Sequence, residues 1–252
     1  MSVYITGDKH GKFQAFTKKK INELNFVLTE DDIVIISGDV GLLWCYDKEY
    51  EYLVNWLSSL PFKIAFILGN HDNYHMIKDF ELVDWCGGKA HHIVKDKIII
   101  LERGEIYNIQ GFKIFTFSGA QSHDIEGGIL DRNDENFKLK KKELKRKKLQ
   151  FRILNESWWK EELPTQEEID NAWEKLIKEG LNVDYIITHC SSEYLQQSIG
   201  IKESNILTQF FNRIEENVEF KHWYCGHYHM DKQIDTKHTI CYKELIRLEA
   251  QN

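Results

Sequence analysis

Three apolar runs in the first third of the chain each end in a polar tip. Val3-Tyr4-Ile5 leads into Gly7-Asp8-Lys9-His10-Gly11, and Ile33-Val34-Ile35-Ile36 into Gly38-Asp39. Ile64-Ala65-Phe66-Ile67-Leu68 leads into Gly69-Asn70-His71-Asp72. Asp8, Asp39 and Asn70 fall 31 residues apart, about one strand–helix–strand repeat. The spacing predicts three successive parallel strands that bring their tips to one sheet edge. Open α/β sheets place ligands at that edge, beyond the carboxyl ends of the strands.

The intervening text predicts a helix carrying Phe13, Phe16, Ile21 and Leu24 at roughly helical spacing. A second spans 47–60, with Tyr50, Leu53, Val54 and Leu57 on one face and Pro61 as its stop. A short helix is expected over 74–80. From 91 to 117 four short strands separated by Asp, Gly and Asn turns predict hairpins that build a second sheet. Thr165 and Glu168 form a capping-box pattern opening a helix to Glu179, with Gly180 beyond it. Segment 185–188 then runs into His189, and 206–217 reads as a helix. Segment 222–225 runs into Gly226-His227-Tyr228-His229, and closing hairpins follow over 232–248. The fold expected is α/β: a four-layer α-β-β-α sandwich of two mixed sheets, with the site at the strand C-terminal edge.

Composition adjusts this picture only locally. The 252 residues are 42% hydrophobic, contain two prolines (Pro61 and Pro164), and show no linker-like tract. One domain over 1–252 is expected, interrupted by an irregular basic insertion at about 118–164. The start of the chain lacks a charged and apolar leader, and no apolar run approaches a membrane span. A cytoplasmic protein without membrane contact is the expectation. Five cysteines without a Cys-x-x-Cys pair argue against a zinc knuckle or a disulfide framework. The net charge of −7 is uneven: segment 138–152 holds nine basic residues and one acid, leaving −15 on the rest. That balance argues against binding nucleic acid over the whole surface, while the basic segment offers a local phosphate-attracting arm.

Each tip alone is a weak signal. Together they supply three carboxylate or amide oxygens and four imidazoles, a mixed donor set suited to Mn, Fe or Zn. The ordered pattern Asp8-x-His10, Gly38-Asp39, Gly69-Asn70-His71-Asp72, His189 and Gly226-His227-x-His229 resembles the calcineurin-like metallophosphoesterase superfamily. The resemblance runs from residue 7 to 229. It implies that Asp8, His10 and His229 hold one divalent ion, that Asn70, His189 and His227 hold a second, and that Asp39 bridges them. Manganese is the ion expected first, with Fe, Zn or Ni as alternatives. The implied reaction is in-line attack on phosphorus by a hydroxide bridging the two ions. His71 matches the catalytic second-sphere histidine, with Asp72 expected to orient its ring and raise its pKa; the alternative for Asp72 is a helix N-cap.

The second motif departs from the protein-phosphatase branch of that superfamily. Gly38-Asp39-Val40-Gly41-Leu42-Leu43-Trp44 lacks the Asp-Arg pair whose arginine grips phosphate. Substitute contacts are expected from Arg132 and His123 in the irregular segment, and Trp158 and Trp159 offer an aromatic wall or core packing. The expected substrate is a phosphodiester or phosphomonoester, of a nucleotide or nucleic acid. The alternatives are an atypical protein phosphatase, or a nucleic-acid-binding or scaffold module with structural metals.

Overall fold

A computed structural model describes residues 2–24 and 26–249. Its strands in chain order are β1 (Val3–Thr6), β2 (Ile33–Ile36), β3 (Lys63–Phe66), β4 (Leu82–Trp85), β5 (Gly88–Val94), β6 (Ile98–Leu101), β7 (Glu105–Ile109) and β8 (Phe112–Phe117). They continue as β9 (Ile129–Leu130), β10 (Arg152–Ile153), β11 (Tyr185–Thr188), β12 (His222–Cys225), β13 (Lys232–Gln233), β14 (His238–Ile240) and β15 (Ile246–Arg247). The α-helices are α1 (Lys18–Asn22), α2 (Lys48–Ser58), α3 (Phe137–Lys147), α4 (Gln166–Lys178), α5 (Glu193–Ser198) and α6 (Ile206–Asn217).

Among the described residues the strands form two large sheets and one small pair. The first sheet has the order β15-β1-β2-β3-β6-β5-β4 and the second β13-β14-β12-β11-β8-β7. Strands β1, β2 and β3 are parallel and in register, with Thr6 opposite Ile36 and Ile36 opposite Phe66. Thr188 and Cys225 are likewise opposite each other in the parallel pair β11–β12. Each sheet therefore ends its parallel strands level, which is what gathers the polar tips.

Alternation along the strands divides the core into layers. Val3, Ile5, Ile33, Ile35, Ala65 and Ile99 of the first sheet meet Ile114, Tyr185, Ile187 and Tyr224 of the second in one buried cluster. The opposite face of the first sheet (Tyr4, Val34, Ile64, Phe66) packs on Leu53 and Leu57 of α2. Phe115, Phe117, Ile186 and Trp223 pack on α4 and α6 through Ile169, Leu176, Phe210 and Phe211. This is the four-layer sandwich that the pattern predicts. The predicted capping box is formed: Thr165 Oγ1 accepts from Glu168 N–H and the Glu168 carboxylate accepts from Thr165 N–H.

Three local expectations are corrected. The helix expected from Phe13 to Leu24 is a 3₁₀ turn (Gln14–Phe16) followed by α1, because Thr17 is extended and caps α1 at Lys20 N–H. The strands over 91–117 do not build a separate sheet. β5 and β6 widen the first sheet, and only β7 and β8 enter the second. The end of the chain is not all hairpin either, since β15 returns to pair antiparallel with β1.

The basic segment is split by function of its parts. Helix α3 buries none of its residues and ends where Lys148 turns left-handed at φ 56°. The chain then re-enters the body as β10, parallel to β9, and Ile153 is buried.

Candidate active site and metal centre

The tips of β1, β2, β3, β11 and β12 converge in one cluster around Asp39, which two sets of contacts reach. In the first, His10 Nε2 lies 2.9 Å from His229 Nε2 and 3.8 Å from Asp39 Oδ2, while His229 Nε2 lies 3.7 Å from Asp8 Oδ2. In the second, His189 Nε2 lies 3.2 Å from Asn70 Oδ1 and 3.3 Å from Asp39 Oδ2. The His227 ring stands 5.1 Å from that of His189. All seven side chains named from the tips are thus brought together. Among the described residues, Asp8, Asp39 and His189 offer ligand atoms within 4.8 Å of one another, all buried.

The backbone is bent to make this possible. His10, Asp39, His227 and His229 have φ of 45°, 48°, 69° and 52°, a left-handed conformation that costs a non-glycine residue roughly 1–3 kcal/mol. Four such residues at one site mark a place where position outweighs local stability. Two glycines serve the same end by close approach. A Cβ on Gly69 would stand 2.0 Å from Asp39 Oδ1, and one on Gly38, itself at φ +96°, would stand 2.3 Å from His189 Nδ1.

Hydrogen bonds fix which atom of each group faces inward. His189 Nδ1 donates to the Ser37 carbonyl at 2.7 Å, so Nε2 is the nitrogen turned to Asp39 and Asn70. His71 N–H donates to Asp39 Oδ1 at 2.8 Å, leaving Oδ2 for the histidines. Asn70 Nδ2 donates to Ser122 Oγ (3.2 Å), which donates in turn to buried Glu162 (2.6 Å), so Asn70 presents its carbonyl oxygen. Lys9 and Tyr228, between the ligand positions, bond elsewhere. Lys9 Nζ bonds Thr6 Oγ1 and the Tyr242 carbonyl, and Tyr228 bonds Ser191.

The electrostatics call for cations. Burial pushes the Asp8 carboxyl up to about 7, and Asp39 adds to that rise. Burial also resists charge on His189, yet the Asp39 and Asp8 carboxylates push its imidazole up to about 9. Two buried carboxylates thus compete for one protonated ring. Asp8 Oδ2 is buried and makes no hydrogen bond, a costly state for a carboxylate oxygen unless a cation meets it. Carboxylate, amide and imidazole donors in this density fit divalent ions such as Mn²⁺, Fe²⁺ or Zn²⁺.

Around this centre the structure revises the substrate side. Asp72 does not hold the His71 ring; its carboxylate accepts from Gly69 N–H (2.9 Å) and Gly41 N–H (3.4 Å), bracing the two loops. Nor does it cap a helix: the following turn is a 3₁₀ turn from Met76 to Asp79, preceded by His75. The partner of His71 is Arg152, whose Nη2 donates to Nδ1 at 3.0 Å while its guanidinium also forks onto Asp124. Burial and that guanidinium push the His71 pKa down, not up. Arg132 instead forks onto Glu156 and lies against Phe137. His123 does reach the site, with Nε2 3.1 Å from His227 Nε2 and 3.2 Å from Glu203. Trp159 is fully buried, which settles its packing role.

Ser122, Glu162 and Arg152 are the residues that sequence reasoning missed. Ser122 and Glu162 lie 40 residues apart, and no local pattern joins them. Arg152 did carry a signal: it closes the basic run and immediately precedes an apolar residue.

Comparison with known proteins completes the description. A search of solved structures aligns 96% of this chain with 88% of the crystal structure of Phosphopantetheinyl Hydrolase (PptH) from Mycobacterium tuberculosis, at 11% identity and a TM-score of 0.49. No curated protein matches the chain. Residues 1–231 match the family described as Calcineurin-like phosphoesterase. With its donor side chains at the strand tips and this match over most of its length, the chain belongs to the calcineurin-like phosphoesterase family, as a metal-dependent hydrolase of phosphate esters.

Proposed function

We propose that residues 1–252 form one domain that hydrolyses phosphomonoester or phosphodiester bonds of nucleotides or nucleic acid with two divalent ions, manganese first among them. The observation that carries this reading is the sharing of Asp39 by two groups of donors, Asp8, His10 and His229 on one side and Asn70, His189 and His227 on the other. Ions held there supply Lewis-acid polarisation of the phosphoryl group and acidify the attacking water.

The chain's own residues do the rest. Arg152, oriented by Asp124 beside His71, brings a fixed positive charge to the side of the site where non-bridging phosphoryl oxygens would be stabilised. Because an arginine N–H can only donate, His71 Nδ1 accepts, and in the neutral ring the proton sits on Nε2. Nε2–H then donates a hydrogen bond to the leaving oxygen and stabilises the charge that develops there. As the oxygen of water bonds to phosphorus, the bond from phosphorus to the leaving oxygen breaks; the proton that water gives up ends on the leaving oxygen, and His71 keeps its own. Glu162 and Ser122 keep Asn70 facing inward throughout.

The test is turnover of p-nitrophenyl phosphate and bis-p-nitrophenyl phosphate by protein supplied with Mn²⁺. Cleavage of at least one is expected, falling by at least ~100-fold in Asp39→Asn and in His71→Ala. Cleavage of neither, nor of a nucleotide panel, or variants as fast as the wild type, would overturn the proposal.

A further inference from the structure

A cleft of about 290 Å³ opens directly beside the two histidines His10 and His71. Trp44, Tyr50 and Leu53 line it as well, together with Asp47 and Glu49. Trp44 is 43% exposed yet not loose. Its indole rests edge-on against buried Trp159, with centroids 6.0 Å apart, and its carbonyl accepts from Asn73 Nδ2. Tyr50 is braced edge-on by Tyr46 at 5.1 Å. The cleft thus combines the histidines of the site with pinned aromatic rings in one space.

Charge narrows further what the cleft can hold. The start of α2 would attract an anion through its free N–H groups, but Asp47 caps it and Glu49 and Glu51 fill its first turn. The lining that α2 contributes is therefore acidic, and phosphate belongs beside the histidines instead.

We propose that this cleft is the subsite for the organic group of the substrate, and that it takes a flat ring free of negative charge, an aryl group or a nucleobase, joined to the phosphate. The proposal rests on the phosphoesterase reading and adds a selectivity to it. Stacking on Trp44 supplies the preference for a ring, and the carboxylates of Asp47 and Glu49 exclude anionic rings.

The experiment measures kcat/KM with Mn²⁺ for p-nitrophenyl phosphate, p-carboxyphenyl phosphate and glycerol 2-phosphate, in the wild type and three variants. Adenosine 5′-monophosphate is included to separate a nucleobase from a simple aryl group. In Trp44→Ala the ratio of the p-nitrophenyl to the glycerol ester falls about tenfold, and Trp44→Phe restores most of it. Asp47→Asn keeps the helix cap but removes a charge; combined with Glu49→Gln it raises the p-carboxyphenyl rate relative to the p-nitrophenyl rate several-fold. Calorimetry of adenosine 5′-monophosphate and glycerol 2-phosphate on the same proteins reads the subsite without turnover, the nucleotide binding at least tenfold more tightly and losing that margin in Trp44→Ala. If only the aryl ester responds to Trp44, the occupant is an aryl group; if only the nucleotide responds, it is a nucleobase. Ratios and binding margins that ignore Trp44 overturn the subsite even where hydrolysis proceeds. Absence of all hydrolysis overturns the phosphoesterase reading instead, and binding then decides the subsite.

Discussion

Asn70 can serve a cation only through Oδ1, and a side-chain amide turns over freely unless its nitrogen is held. Ser122 holds it, and Glu162 holds Ser122. Ser122→Ala removes the acceptor while leaving the ligand oxygens in place. Partners behind a metal ligand typically govern 10–100-fold in affinity, so the variant is expected to bind Mn²⁺ roughly tenfold more weakly by calorimetry. Wild-type affinity in the variant would show that Asn70 needs no support. Arg152 makes the opposite prediction, because it touches His71 and Asp124 rather than the donor groups. Arg152→Ala is expected to lower kcat/KM for p-nitrophenyl phosphate by roughly 100-fold with little change in Mn²⁺ affinity. Equal loss of both would place Arg152 in the support of the metal centre instead.

Between α6 and β14, His238 joins Glu215 to the loop ahead of β14. Its ring lies 3.1 Å from Glu215 and 2.9 Å from Asp235 and is almost fully buried. Burial resists the charge, but Glu215 and Asp235 raise the His238 pKa above that of a free histidine. A raised folded-state pKa contributes stability that is fully present below the unfolded value of about 6.5 and is lost as pH rises through the folded value. Asp235, burial opposing but the Lys237 N–H and His238 outweighing it, is held low, so its share survives until pH falls toward the unfolded aspartate value of about 3.9. The thermal midpoint of the wild type should therefore exceed that of His238→Gln most near pH 5.5, with the gap narrowing by pH 8.5. A gap that widens with pH would contradict the pairing. Helix α3 shows the other extreme of an element. It buries nothing, and its lysines face solvent while Arg152, at the end of the same basic segment, turns inward.

Across the whole molecule, what the sequence disclosed follows from how locally each feature is encoded. Strands whose apolar run leads straight into a ligand were legible because the parallel register carries every tip to one edge, as Thr6, Ile36 and Phe66 demonstrate. The sharing of β5 and β6 with the first sheet was not legible, since a hairpin pattern does not say which sheet it joins. Asp72 misled for a related reason: adjacency to His71 suggested contact, whereas the turn aims its carboxylate at Gly69 and Gly41. The aromatic wall was sought at Trp158 and Trp159, yet the exposed ring beside the histidines is Trp44, which only the folded cleft reveals. The central claim is that two cations share Asp39 and that hydrolysis depends on both. Its most direct test is to titrate Mn²⁺ into metal-stripped protein at saturating p-nitrophenyl phosphate and protein concentrations above the binding constants. Activity that saturates at two equivalents per chain is the predicted result; activity without metal, or saturation at one equivalent, would contradict it.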